Sequence, residues 1–225
     1  MEKRILRIAI DGPSGAGKSY LADRIAEKYA LIHLDTGALY RAVGLYVCRK
    51  GIATEDTEAI IASLPEITLT LGFGEKGQDT ILNGENVNGF IRTPQISTYA
   101  SVVSAIPAVR AFLLDTQRKI AQTTPVVLDG RDIGTVILPH ADVKIYLIAA
   151  DEARASRRYA ELCEKGVDTT YEKVLAELRE RDARDSGRAV APSKPAADAV
   201  TLDNSKLNRE ETVAAAIRII EEKIR

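Results

Sequence analysis

Short apolar runs alternate with amphipathic stretches along most of the chain. Ile5-Leu6-Arg7-Ile8-Ala9-Ile10 reads as a strand. Leu21, Ile25 and Tyr29 recur every four residues and predict a helix over 18–29. Leu31-Ile32-His33-Leu34 is a short strand candidate, and residues 37–50 read as a helix ending at Gly51. The period then changes. Ile67, Leu69, Leu71 and Phe73 alternate with Thr68, Thr70 and Gly72, as in a half-buried antiparallel strand. Asp79–Leu82, the Asn83-Gly84 turn and Val87 supply a hairpin partner. Residues 95–122 are helical with a break at Pro107. Val126-Val127-Leu128 and Val143–Ile148 are runs of the kind buried in parallel sheets. A charged helix over 151–165 stops at Gly166, and a second, over 171–184, turns Val174, Leu175 and Leu178 inward. A Pro/Ala-rich loop at 190–197 leads to a strand at 199–202. Val213, Ile217, Ile220 and Ile224 mark a final helix. The pattern predicts an α/β fold, a doubly wound parallel sheet of five strands with helices on both faces. Two excursions interrupt it, at about 60–94 and 155–190. No internal repeat or low-complexity linker is evident.

The loop behind the first strand carries the strongest chemistry. Gly12-Pro13-Ser14-Gly15-Ala16-Gly17-Lys18-Ser19 fits G-x-x-x-x-G-K-[ST] at every fixed position, between a strand and a helix as that motif requires. Its glycines let backbone N–H groups turn towards a phosphate, and the following helix aims its positive end at the same place. Lys18 is expected to reach the β- and γ-phosphates, and the Ser19 hydroxyl to ligate Mg²⁺. A nucleoside triphosphate is the implied ligand.

Composition narrows the partners. The 225 residues are 45% hydrophobic and 28% charged, enough for one globular domain with insertions. A formal net charge of −1 gives no basic footprint for nucleic acid or an anionic membrane. No apolar run approaches a membrane span. Residues 1–10 hold Glu2, Lys3, Arg4 and Arg7 and no apolar h-region, so no signal peptide is expected. Cys48 and Cys163 lie far apart, outside any C-x-x-C, and read as small apolar fillers of helices. His33 and His140 sit in no motif and read as structural. A reducing cytoplasm and, with no strong exposed apolar stripe, a monomer are the expectations.

Other charged residues collect where ligands bind in such folds. The strand at 126–128 runs into Asp129-Gly130-Arg131-Asp132 at a carboxyl end of the sheet. Asp129 suits Mg²⁺, directly or through water, and equally suits a turn before Gly130. A guanine-reading N-K-x-D is absent, and the adjacent acids of a motor ATPase are not found here. Asp35 ends the second strand, and Tyr40 and Arg41 fall on the first turns of the next helix. From Asp151 to Arg188 there are nine Lys/Arg, seven of them Arg, and ten Asp/Glu. That balance favours salt-bridged helices over a nucleic-acid patch, and an Arg-rich flap after a parallel strand suits a water-excluding lid.

Several of these segments together resemble the bacterial cytidylate kinases, a family of nucleoside monophosphate kinases. They are Asp11–Ser19, Leu34–Arg41, Ile91-Arg92-Thr93-Pro94, Ala100-Ser101, Ser104–Arg110, Asp129–Val136, Glu180-Arg181-Asp182, Asp185, Arg188 and Ala191-Pro192. The resemblance runs from about residue 5 to 205. It implies a P-loop nucleotide kinase with a core at about 1–60, 95–153 and 190–225, an antiparallel monophosphate-binding insert at about 61–94 and a helical lid at about 154–189. It implies ATP as phosphoryl donor with Mg²⁺ on Ser19 and Asp129, and CMP or dCMP as acceptor. Gly12, Pro13, Ser14, Gly15, Ala16, Gly17, Lys18, Ser19, Tyr20 and Arg157 then form the ATP set. Ser101, Arg110 and Asp132 contact cytosine. Arg41, Arg131 and Arg188 grip the CMP phosphate, Arg181 and Asp185 the ribose, and Thr36 and Tyr40 line the acceptor. Arg157 and Arg158 belong to the lid, and Lys18, Arg131, Arg158 and Arg188 are the catalytic cations. Ser193-Lys194 departs from the family pattern, where an apolar residue comes first. A metabolite kinase of the same fold and a nucleotide-binding regulatory protein are the competing readings.

Overall fold

The computed structural model describes residues 5–74 and 77–225. Glu2, Lys3 and Arg4, part of the signal-peptide argument, lie outside them. A five-stranded sheet has the order β2-β6-β1-β7-β8 and a second, three-stranded sheet the order β3-β4-β5. The chain divides into two compact units, residues 1–31 with 125–225, and residues 32–124.

In the first unit β1 (Arg7–Asp11) runs parallel to both β6 (Val126–Gly130) and β7 (Val143–Ile148), and β7 runs parallel to β8 (Val200–Asp203). Ile8 and Ile10 of β1 pack with Val127, Val143, Ile145 and Leu147. They meet Leu21 and Ile25 of α1 (Lys18–Tyr29) and Ala216 and Ile220 of α8 (Arg209–Ile224). This double-faced burial explains why these strands read as unbroken apolar runs. Asn208 caps α8 by a capping box with Glu211. Helices α6 (Asp151–Glu164) and α7 (Tyr171–Ser186) share a small core of Ala155, Leu162, Val174 and Leu178. Cys163 of α6 is exposed and Cys48 half-buried, so Cys163 is no apolar filler: the last turn of α6 turns it away from that core.

In the second unit β2 (Ile32–Asp35) leads into α2 (Thr36–Arg49), whose N-terminus Asp35 caps by accepting from the Ala38 N–H. A short helix missed by the sequence pattern, α3 (Thr57–Ser63), is capped by Asp56 and runs into a 3₁₀ turn at Leu64–Glu66. Seven residues give too few periods to register. β3 (Leu69–Gly74), β4 (Gly77–Leu82) and β5 (Glu85–Asn86) make the antiparallel sheet. Asn83 and Gly84 both take positive φ between β4 and β5, as their sequence predicts. Gln78 of β4 bonds both the N–H and the C=O of Asp35, which ties this sheet to the start of α2. The helical run breaks into α4 (Pro94–Val103) and α5 (Pro107–Thr123), meeting at 99°. The second unit therefore extends well beyond the insert read from sequence. Among the described residues no single helix is long and apolar enough to cross a membrane.

Helices α2 and α4 pack through Gly44. A Cβ there would stand 2.9 Å from the Ala100 N. Ala gains about 1 kcal/mol over Gly in a helix, but overpacking against backbone costs about 1–3 kcal/mol. Gly44→Ala is therefore expected to lower the melting temperature; a rise would show that the two helices separate freely.

Candidate active site

In the first unit the phosphate loop sits where its glycines are required. Gly12 has φ 147°, and a Cβ on it would stand 2.0 Å from the Leu147 carbonyl oxygen of β7. Gly15 and Gly17 also take positive φ. The loop is pinned at several points. Lys18 Nζ donates to the Pro13 carbonyl at 2.7 Å, and Asn204 Nδ2 donates to the Ala16 carbonyl at 3.0 Å. Ser14 N–H donates to Asp182 Oδ1 at 3.1 Å, while Arg154 Nη1 donates to the Ser14 carbonyl at 2.7 Å.

Asp11 closes β1. Its two oxygens accept the N–H groups of Ile133 and Gly134, each at 2.7 Å. That fixes the single π-helical turn Ile133–Ile137 that follows Asp129–Asp132. Burial raises the Asp11 carboxyl to about 6 in spite of these two donors, and the charge of Asp132 adds to the rise. Ser19 Oγ donates to Asp129 Oδ2 at 2.9 Å. Both are hard oxygen donors, the kind Mg²⁺ takes beside phosphate oxygens and water, so the pair fits that ion.

Two of the three cations predicted for the acceptor phosphate, Arg131 and Arg188, meet here. Asp185, buried on α7, accepts from Arg131 Nε at 2.8 Å and from Arg188 Nη2. Burial alone would raise its carboxyl, but Arg131, Arg188 and Arg181 together hold it below the ordinary value. Lys18 is buried, and its pKa is lowered to about 7, by burial first and then by Arg131 and Arg181, against a smaller pull from Asp129 and Asp11. Asp132 is buried beside these groups on the same turn.

The remaining residues of the predicted ATP and lid sets lie differently. Arg157 donates to the Asn204 carbonyl at 2.8 Å, and so touches the loop through Asn204. Arg158 pairs with Glu161 in its own helix at 3.2 Å. Tyr20 is exposed, its ring flanked by Arg24 and Arg209 at 5.9 and 5.1 Å.

In the second unit Asp35 Oδ2 accepts from Arg92 Nη2 at 2.9 Å, with Arg41 Nη1 at 3.9 Å. Thr36 is buried at the first turn of α2. The Arg110 guanidinium lies 5.5 Å from the Tyr40 ring centroid and donates to the Ser104 carbonyl at 3.1 Å. Ser101 Oγ is buried and makes no hydrogen bond among the described residues. A buried hydroxyl in that state is costly unless something meets it.

A glycine loop opening a helix behind the first strand, a buried lysine and a strand-end carboxylate on the serine hydroxyl define a P-loop nucleotide-binding protein. The chain belongs to the cytidylate kinase family, whose profile matches residues 8–222. It is 46% identical over 217 residues to the cytidylate kinase of Thermosipho melanesiensis, covering 96% of this chain and 97% of that one. It is 45% identical over 215 residues to that of Carboxydothermus hydrogenoformans (96% and 97% covered). It is 40% identical over 223 residues to that of Lactiplantibacillus plantarum (99% and 98%). Among solved structures, an uncharacterized protein from Eubacterium ventriosum shares the fold, with TM-score 0.54 at 14% identity over 96% of this chain and 98% of that one.

Sequence reasoning missed Arg154 as a loop contact, together with Asp11, Asp182 and Asn204. Their partners lie far off in sequence, 168 residues in the case of Ser14 and Asp182.

The depressed Lys18 pKa carries a stability cost with a definite sign. Between about 7 and the ordinary 10.5 the unfolded chain holds more protons on Lys18 than the folded one, so stability rises with pH there. Lys18→Met removes the penalty. It is expected to raise the urea midpoint of the nucleotide-free protein, most at pH 7 and below, with the gap narrowing as the pH rises towards 10.5. A variant less stable than the parent at pH 7 would contradict the burial of a disfavoured charge.

Proposed function

We propose that the protein reversibly transfers the γ-phosphoryl group of ATP to CMP and dCMP, giving ADP and CDP or dCDP. The observation that carries this reading is the concentration of cations around Lys18. Arg131, Arg181 and Arg188 gather on one buried carboxylate, Asp185, beside a phosphate loop. One triphosphate occupies the loop; the arginines fit a second phosphate, that of an acceptor.

The chemistry then asks little of acids and bases. The attacking oxygen of a nucleoside monophosphate is already anionic. Catalysis is positioning together with stabilisation of charge on the transferring group. Lys18 holds the γ-phosphate, while Arg131 and Arg188 orient the acceptor phosphate with Arg41. Arg181 and Asp185 contact the ribose, and Thr36 and Tyr40 complete the acceptor contacts. Arg157 and Arg158 serve the lid over ATP, with Tyr20 beside the loop. Ser19 and Asp129 would hold Mg²⁺, which when bound neutralises charge on the phosphates. Asp132 accepts from the cytosine N4 amine, and Arg110 and Ser101 serve its acceptor edge. The buried Ser101 hydroxyl supports that role. Uracil would set a carbonyl against Asp132, and sites built on such bonds reject the wrong partner strongly. The near-neutral net charge suits small nucleotides rather than nucleic acid, the two free cysteines suit a reducing cytoplasm, and the lack of a strong apolar stripe in the sequence suits a monomer.

A coupled assay over a panel of monophosphates tests the reading. ADP release from ATP is expected with CMP and dCMP and to be at least about a hundredfold slower with UMP, AMP or GMP. Asp132→Ala should raise KM for CMP and narrow the gap to UMP. ATP turnover indifferent to every monophosphate would overturn the reaction; selectivity intact in Asp132→Ala would overturn the base-reading role alone.

A further inference from the structure

Arg154 and Asp182 stand outside every role given above, yet both bond the phosphate loop at one residue, Ser14. Asp182 Oδ1 accepts the Ser14 N–H at 3.1 Å, and Arg154 Nη1 donates to the Ser14 carbonyl at 2.7 Å. The two side chains are also paired to each other. Arg154 is 3% exposed. Its Nε donates to the Ala149 carbonyl at 3.1 Å, and its Nη2 pairs with Asp151. A guanidinium so fully engaged and buried cannot swing as a surface lid arginine does. The helices that carry the pair close over the same part of the loop. A Cβ on Gly15 would lie 3.5 Å from Arg154 Cβ and 3.8 Å from Leu178 Cδ2.

We propose that Arg154 and Asp182 form a clamp that grips the N–H and the C=O of Ser14, in two successive peptide units, and holds the phosphate loop in its ATP-binding shape. They act as positioning residues from helices α6 and α7. One bond holds the Pro13–Ser14 peptide and the other the Ser14–Gly15 peptide, so the two planes that meet at the Ser14 Cα are both restrained. Asp182 lies on the helix that also bears Arg181 and Asp185, six residues before Arg188, which follows that helix. The clamp therefore links the loop that holds the donor to the helix that carries Arg181 and Asp185. This inference rests on the loop's reading as an ATP site and not on the identity of the acceptor.

Titration of ATP with Mg²⁺ into the whole protein by calorimetry tests it without any acceptor, so a wrong acceptor assignment leaves the test standing. Asp182→Ala is expected to raise the ATP Kd about tenfold or more, the scale of losing a charge-assisted hydrogen bond. Asp151→Ala is the control. It removes a partner of the same guanidinium that does not touch the loop, and should shift Kd by less than about twofold. Should Asp182→Ala fail to fold, Asp182→Asn decides. Its amide oxygen can still accept from Ser14, but its NH₂ opposes Arg154, so Kd should rise severalfold. An unchanged Kd in the folded Asp182 variants, even with a lower melting temperature, would reduce the pair to packing and overturn the clamp. A tighter Kd would make Asp182 a competitor of phosphate and overturn it too. Equal weakening in Asp151→Ala would mean that α6 and α7 act only as a scaffold.

Discussion

The first unit is organised around one electrostatic constraint: an ammonium group, Lys18, buried beside Arg131 and Arg181. Burying a cation next to other cations is costly unless something fixes them in place. Asp185 does so by bonding Arg131 and Arg188. Asp11 does so indirectly, by bonding the backbone of the turn that follows Arg131 and Asp132. The Pro13 carbonyl receives the Lys18 ammonium itself. Each partner partly offsets the charge, and the depressed Lys18 pKa shows that the offset is incomplete. Stability is given up to hold a site ready for phosphate.

The fold supplies this constraint through its strand ends. β1 ends at Asp11 and β6 at Gly130, paired in register, so the phosphate loop and the Asp129–Asp132 turn leave the sheet side by side. β7 contributes the Leu147 carbonyl against which only a glycine at position 12 fits. Asn204, just past β8, holds the Ala16 carbonyl. The sheet's parallel order is thus what brings three other chain segments onto one loop. The second unit builds its own cluster by other means. Asp35 caps α2, receives Arg92 and is bonded by Gln78 from the antiparallel sheet.

Much of this was legible in the sequence because it is local. The loop motif, the α1 stripe, the Asn83-Gly84 turn and the break at Pro107 each express themselves within a few residues, and each lies where it was expected. The last helix also forms, but of its expected stripe only Ile220 is fully buried, beside Thr212 and Ala216, while Ile224 is exposed. The cations at 131, 181 and 188 and the carboxylate at 185 came from the resemblance, and the structure brings Arg131 and Arg188 onto Asp185. What the sequence hid was long-range polar bonding. Arg154 looks like its neighbours Arg157 and Arg158 in a charged helix. Only the fold shows that 154 points into the loop, 157 onto Asn204 and 158 along its own helix. Cys163 was misread for the same reason: the face a helix buries depends on the partner it packs against.

The most direct measurement of this account is the proton balance of ATP binding at pH 8, obtained by calorimetry in buffers of different ionisation enthalpy. With a pKa of about 7, Lys18 is mostly neutral at that pH in the nucleotide-free protein. Phosphate charge beside it restores the ammonium. Binding should take up about half a proton or more, and Lys18→Met should abolish the uptake. Binding without proton uptake in the parent protein would contradict a lysine held discharged by burial and neighbouring arginines, and with it the central claim.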